Sequence, residues 1–516
     1  MEIDALKDKI LILTGKLAEK DVKKYIQEFP PNQVEVKVLN VSLAAFMTPK
    51  IIIESLKNVD LSEYGYIMAP GLMVGNLDII EKKLGKKIFL GPKYACDIPL
   101  VIKSNIKLSK KISADKLLLN QGINEYEEIV KNVLKDFEET YSIGSVKIGK
   151  GLPPVILAEI VDAPKLGLDR IISKAKYYLK YGADMIDVGA TVGEDNSSKI
   201  QNIIETLKFK LDAVPISIDS LNPAEIEAGV EAGADLVLSL DEGNIADLTN
   251  LDKEVCYTII PTNVKQGIFP KIPSMRLEKL EENIILAEKH GFKKILADPL
   301  LESPINPGLM NSLITYQLFK NKYPSKPMMA GLGNVFELID ADSIGINALL
   351  ASLVVELNIS VCLTTEYSKK ARNAIDELST GLKMSFLAQY KNQPPNGLSF
   401  DLLKAKSKKD FLPEYEIKNE KQILTKDESY KPDPKGYYKI WVNHTEKKIY
   451  VNYFSNDTLI KTISGLDAES IGKSLFSMKT LSKLEHAIYL GRELQKAEIC
   501  LYLGKSYSQD VKFQKT

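Results

Sequence analysis

The feature that most constrains this chain is a set of eight short apolar segments, each long enough for one strand, spread over residues 154–363. They are PVILAEIV (154–161), DMIDVG (184–189), PISID (215–219), DLVLSL (235–240), VCYTIIP (255–261), KILADP (294–299), PMMAGL (327–332) and ISVCL (359–363). Helical patterns fill most of the gaps, as in RIISKAKYYLKYG (170–182) and PAEIEAGVEAG (223–233). Strands that alternate with helices pair in parallel, and eight such units in about 240 residues is the size at which the sheet closes into a (β/α)8 (TIM) barrel. GADMIDVGA (182–190) is repeated in kind by GADLVLSLD (233–241), each where a helix hands over to a strand.

The flanks read differently. Four strand-like runs, KILIL (9–13), VEVKVLN (34–40), GYIMAP (65–70) and IFLGP (88–92), alternate with helical patterns over 44–57, opening near Thr48–Pro49, and over 76–84. This is the pattern of a parallel doubly wound α/β domain. Gly15, Gly71, Gly75 and Gly91 follow its strands, where ligands bind in such sheets, but no G-x-G-x-x-G occurs and a scaffold role is the plainer reading. QPPNG (393–397) and KPDPKG (431–436) are turn or linker signals. Beyond them, YYKIWVNHTEKKIYVNYF (437–454) reads as two strands, and SKLEHAIYLGRELQKAE (482–498) as a helix with Leu484, Ile488, Leu490 and Leu494 near helical spacing. The expected organisation is a doubly wound domain over 1–145, the barrel over 150–392 and a small α+β domain over 400–516.

Composition narrows the function classes. Lys+Arg and Asp+Glu balance at 68 each, which argues against nucleic acid or a membrane surface as the main partner. The four cysteines (Cys96, Cys256, Cys362, Cys500) form no C-x-x-C pair, and with only three histidines neither a zinc knuckle nor a His-rich metal site is expected. The opening MEIDALKDKILILTG has too short an apolar run to span a bilayer and no cleavage pattern, so a cytoplasmic protein is expected.

The strands of the barrel end in polar residues: Asp162 just after the first, then Asp187, Asp219, Asp298 and Asn334. In a (β/α)8 barrel this face carries the chemistry. Any one strand-end Asp can instead cap a helix or form a structural ion pair. Several on one face can accept hydrogen bonds from an aminopyrimidine edge, whose N–H donors fit a carboxylate bidentately, and a pterin offers such an edge. Lys265, in TNVKQG (262–267), either contacts a phosphate or is a solvated loop lysine. Asn196, in GEDNSSK (193–199), either lines the pocket or starts a helix.

VPISIDSLNPAEIEAGVEAGAD (214–235), ADMIDVGA (183–190) and KILADP (294–299) resemble the pterin-binding barrel family, which includes dihydropteroate synthases and pterin-dependent methyltransferases. The similarity covers most of residues 154–375, and the three-part chain looks like the archaeal dihydropteroate synthase-related proteins associated with tetrahydromethanopterin metabolism. The resemblance implies a reduced, tetrahydromethanopterin-like pterin as ligand, with Asp219 and Asp298 at its edge and Asp187 beside them. It also admits a Mg2+ ion and a homodimer.

The departures bear on the reaction. The synthases carry an Asn at the first strand end for the diphosphate and its Mg2+, where this chain reads Glu159-Ile160-Val161-Asp162. Their Ser-Arg-Lys after the seventh strand is here Gly331-Leu332-Gly333-Asn334, and their Arg-x-His at the eighth is Val361-Cys362-Leu363-Thr364. GLGNV (331–335), with Asn347 downstream, resembles the methyltransferase branch, in which an Asn sits near the pterin N5. Three readings follow. The first is a synthase-like condensation of a dihydropterin with an arylamine, with Lys265, Arg276 or Mg2+ supplying positive charge. The second is methyl transfer from a reduced pterin to a thiol or to a corrinoid on an acceptor protein, with Asn334 acting at N5. The third is a non-catalytic pterin-binding subunit. HAIYLGRELQKAE (486–498) faintly resembles corrinoid-carrying subunits, which raises His486 as a cobalt ligand against the plainer reading of a structural histidine.

Overall fold

The computed structural model describes residues 9–104, 106–135, 141–396, 398, 400–406 and 433–513. Residues 1–8 of the opening segment, Gly397 of QPPNG and the first two residues of KPDPKG lie outside the described residues. The chain forms two compact units, Met1–Leu402 and Leu403–Thr516.

The first unit begins with four parallel strands, β1 (Lys9–Thr14), β2 (Val34–Val38), β3 (Tyr64–Ala69) and β4 (Ile88–Leu90), in the order β2-β1-β3-β4. Side chains of β1 alternate between the two faces: Leu11 and Leu13 join one core cluster, Ile10 and Ile12 the other. Apolar layers on both faces are the doubly wound arrangement expected of the sequence. The helix Pro49–Leu56 starts where Thr48–Pro49 marks it, the Thr48 side chain accepting from Ile51 N. The 22-residue helix Ala114–Lys135 runs from this sheet to the barrel, with Ala114 in the sheet's core and Ile129 against Phe386 and Leu387.

The expected boundary at 145 falls inside a hairpin. Strands β5 (Tyr141–Ile143) and β6 (Val146–Ile148) pair antiparallel, and Ile143 and Ile148 join the barrel's interior cluster, closing its amino-terminal end. The eight barrel strands are β7 (Val155–Ile160), β8 (Met185–Gly189), β9 (Ile216–Asp219), β10 (Leu236–Leu240), β11 (Cys256–Ile259), β12 (Ile295–Ala297), β13 (Met328–Gly331) and β14 (Ile359–Thr365). Each pairs in parallel with its neighbours, and β14 closes on β7. Val155 and Leu157 of β7 point inward with Met185 and Leu236, while Ile156 and Ala158 point out to the helices. Continuing that alternation puts Glu159 on the inward face at the strand's end.

The repeated Gly-Ala-Asp has a structural cause. Gly182 and Gly233 end their helices at φ of 106° and 94°, a conformation that favours glycine. Asp184 then accepts from Ile156 N at 2.7 Å, and Asp235 from Ile216 N at 2.9 Å. Each carboxylate ties the foot of its own strand to the foot of a neighbour.

The second unit has three antiparallel strands rather than the expected two: β15 (Tyr437–Asn443), β16 (Lys448–Ser455) and β17 (Thr458–Gly465). Helices Ala468–Ser477 and Leu484–Leu503 cover one face, where Ile440, Val451, Ile471 and Leu494 pack together. No helix among the described residues is long and apolar enough to cross a membrane.

Candidate functional site

The register sets the site. Glu159 pairs with Asp187, Asp187 with Ser217, and Gly189 with Asp219, so three successive strands present carboxylates on the inward face. Carboxylate oxygens of Glu159, Asp187 and Asp219 lie within 4.8 Å of one another. Asp187 is fully buried, whereas Glu159 and Asp219 keep some exposure toward the mouth. The Ser217 hydroxyl donates to Asp187 Oδ1, and Asp187 Oδ2 has no hydrogen-bond partner. Gly189 makes room for the cluster: a Cβ there would lie 2.7 Å from Glu159 Oε1.

Burial and crowding raise the proton affinity of these acids. Burial, and after it the charge of Asp219, pushes the Glu159 carboxyl up to about 8. Burial, then Asp219 and Glu159, holds Asp187 well above the usual carboxylate range. Burial and the facing Asp298 carry Asp219 to about 7.

Asp298, just past the end of β12, is buried, and burial raises it to about 6 against the opposing hydrogen bonds. Its Oδ1 accepts from Leu300 N at 2.8 Å and lies 2.7 Å from the Tyr316 hydroxyl. The charge of Asp298, past the end of β12, thus acts on Asp219 at the end of β9, with β10 and β11 between the two strands. Asn334 follows β13, exposed, with its Nδ2 donating to Leu301 O at 3.0 Å. That bond leaves the amide oxygen available as an acceptor.

The other named residues are placed as follows. Asn196 is buried, its N donating to Glu225 Oε1 at 2.9 Å, and Glu225 Oε2 accepts from Ser220 Oγ at 2.5 Å. It ties the loop after β8 to the residue that follows Asp219. Lys265 is exposed and pairs with Asp247 at 2.9 Å. Arg276 is buried, ion-paired with Glu302 and bound to the carbonyls of Pro270 and Leu300. It clamps the loop after β12, and a further bond to Ser312 Oγ holds it to the helix Leu309–Lys322. Asp162 sits outside the cluster at φ 52°, 3.3 Å from Lys165. His486 lies buried in the second unit, its Nδ1 3.7 Å from Asp433 Oδ2.

Sequence reasoning passed over Glu159 and Ser217 as site residues. The signal was present: each lies on the inward phase of its strand, two residues from another inward side chain. Lys174 was missed as well. It is half-buried on the helix Leu168–Lys180, and burial lowers its pKa while Glu159 and Glu366 counter it.

Three family models match. Residues 162–307 match the pterin binding enzyme family, 8–93 a family of unknown function (DUF6513), and 432–510 the family PterinBD-DUF4346. An uncharacterized protein of Methanocaldococcus jannaschii is 37% identical, with 97% of this chain and 98% of that protein covered. A Ycf91-like protein of Nostoc sp. is 28% identical over 15% of this chain and 83% of its own length. Among solved structures, 7,8-dihydropteroate synthase from Vibrio fischeri is 17% identical, covering 50% of this chain and 100% of that one, with a TM-score of 0.39. Yersinia pestis dihydropteroate synthase is 15% identical, covering 49% of this chain and 100% of that one, also at 0.39. The chain belongs to one family with the uncharacterized Methanocaldococcus jannaschii protein along almost its whole length, and within it residues 162–307 match the pterin binding enzyme family.

Proposed function

We propose that the mouth of the barrel binds the aminopyrimidine edge of a reduced, methanopterin-type pterin and joins that pterin to an arylamine, as a dihydropteroate synthase does. The observation that carries this is the pair Asp219 and Asp298, carboxyls at the ends of β9 and β12, with no basic side chain ion-paired to either among the described residues. Ring and exocyclic N–H groups of a pterin supply the missing donors. Asp187, Asn196 and Asn334 surround that edge in this reading, Asn196 by fixing the loop after β8.

In the condensation, the bond from the pterin methylene to a diphosphate oxygen breaks and a bond to the arylamine nitrogen forms. The amine loses a proton, for which a deprotonated carboxylate of the cluster is the acceptor. The leaving diphosphate needs positive charge. Lys265 pairs with Asp247 on the surface and Arg276 with Glu302 in the interior, so a bound Mg2+ is the candidate, with Lys174, whose charge acts on Glu159, as a more distant cation.

A second reading, methyl transfer to a corrinoid or thiol acceptor, is favoured by one observation. Asn334 presents an amide oxygen beyond β13 while its nitrogen is anchored to Leu301 O. A protonated pterin N5 is a donor that such an oxygen would hold, and protonation makes that amine the better leaving group.

Two incubations of the purified chain separate the readings. Dihydropterin diphosphate with an arylamine and Mg2+ yields a condensed pteroate-type product under the first. Methylated tetrahydromethanopterin with cob(I)alamin yields methylcobalamin under the second. Pterin binding without either product leaves a non-catalytic binding subunit.

A further inference from the structure

The chain's single tryptophan, Trp441, stands on the face of the second unit's sheet that the helices leave uncovered. Tyr438 and Ile440 of β15 point into the core, so Tyr437, Lys439 and Trp441 point the other way. The register sets Tyr437 opposite Phe454 and Trp441 opposite Tyr450. Both pairs stack face to face: the Trp441 and Tyr450 rings are 4.2 Å apart at 9°, and those of Tyr437 and Phe454 5.1 Å apart at 7°. Such cross-strand pairs can serve the sheet alone. Yet Trp441 keeps 43% of its surface exposed, and its second ring face looks past β15, which is an edge strand. A cavity of about 600 Å3 opens there, bounded by Trp441, Tyr437 and Lys439 on one side and by Tyr489 and Asp510 on the other. Its size is that of a small-molecule site.

The groups around the cavity define what fits. The Lys439 ammonium lies 5.3 Å from the Phe454 ring centre and pairs with no carboxylate among the described residues. The Trp441 indole N–H and the Asn452 amide N–H have no acceptor among them either. Asp510 takes the Tyr489 hydroxyl on Oδ1 at 2.7 Å, and its Oδ2 has no donor among the described residues. An aromatic wall with unpaired donors at one end and an open acceptor at the other suits a planar ring that carries both an N–H and an anionic group. Two other occupants fit worse. A partner strand cannot pair with the middle of β15, because Gln509 already accepts from Ile440 N at 2.8 Å and donates to Tyr438 O at 2.9 Å. A single-stranded nucleic acid needs a run of stacking positions, and β17 sets Thr462 and Ser464 beside β16 and carries no aromatic ring. We propose that this cavity binds a small heteroaromatic anion, its ring stacked on Trp441 and its phosphate or carboxylate held by Lys439. The site stands on the second unit alone and is independent of the pterin reading of the barrel.

Trp441 is its own reporter. Its fluorescence in the full chain is titrated with GMP and with nicotinate, a phosphate and a carboxylate on planar heteroaromatic rings, against guanosine and nicotinamide as neutral counterparts. At least one anion should quench saturably and bind more tightly than its neutral counterpart, and which one does so tells phosphate from carboxylate. Lys439→Ala should weaken that binding about tenfold and remove the preference for the anion, and added salt should weaken it in the wild type. Calorimetry of Trp441→Ala should show a loss of at least about fivefold. Lys439 is exposed, so its variant keeps the test open if circular dichroism shows Trp441→Ala to be unfolded. The proposal is overturned if neither anion quenches at millimolar concentration or if Lys439→Ala leaves binding unchanged. Oligouridylate binding far more tightly than UMP would also overturn it, in favour of a nucleic-acid strand.

Discussion

Glu159 Oε1 lies 2.7 Å from the point where a Cβ on residue 189 would stand, so the carboxylate of β7 depends on the absence of a side chain on β8. Gly189→Ala would drive that carboxylate out of the cluster or shift the strand. We expect a loss of about 1–3 kcal/mol in stability, the usual penalty for overpacking. Thermal unfolding measures it, and a double variant with Glu159→Ala should recover most of the loss.

The buried acids make stability depend on pH in a definite direction. Asp298 is raised from 3.8 to about 6, so the folded chain holds its proton where the unfolded chain has released it. Its contribution is full below the unfolded value and is lost as pH rises through about 6. Asp298→Asn keeps an acceptor for Leu300 N and removes the charge. The variant should gain up to about 3 kcal/mol at pH 8 and little near pH 4. A melting temperature that rises equally at both would show that the charge is not the cause.

The Gly-Ala-Asp repeat was legible in the sequence as a junction, and the structure gives its mechanics through Asp184 and Asp235. Asp235→Ala strands the Ile216 N–H and frees Lys208, which lies 2.8 Å from the carboxylate. A loss of about 1–3 kcal/mol is expected with ligand affinity unchanged, since these contacts lie at the foot of the barrel. Equal losses in affinity would mean that the foot is coupled to the mouth.

Ile305 is 96% exposed at φ 72°, a left-handed conformation that β-branched residues rarely adopt. Its loop follows β12 and is clamped by Arg276 through the Leu300 carbonyl. Ile305→Gly should raise stability by about 1 kcal/mol by relieving that strain. Calorimetry of the two proteins would show an increased melting temperature, or none if the loop relaxes elsewhere.

The barrel was legible because each strand is an apolar run bounded by turns, and the N-terminal sheet for the same reason. The hairpin Tyr141–Ile148 was not, since its strands are three residues each and only Ile143 and Ile148 carry a deep apolar contact. Strand Thr458–Gly465 escaped because it is an exposed edge with little buried surface to set a period. Asp187, Asp219, Asp298 and Asn334 could be named from their places at strand ends. Their sharing of one face followed from the barrel, but the close contact of Asp187 and Asp219 with Glu159 did not, because it depends on strand register and on how far each carboxylate reaches. Glu159 stood as a departure from the family's pattern, and the register turns it into a partner of Asp187.

The most direct test of the pterin pocket is the dissociation constant of a reduced pterin, followed by fluorescence in the wild type, Asp219→Ala and Asp298→Ala. Each substitution should weaken binding by about 2 kcal/mol, roughly thirtyfold, because it leaves a desolvated N–H of the ligand without an acceptor. Unchanged affinity in both variants would contradict the assignment of this mouth as the pterin site.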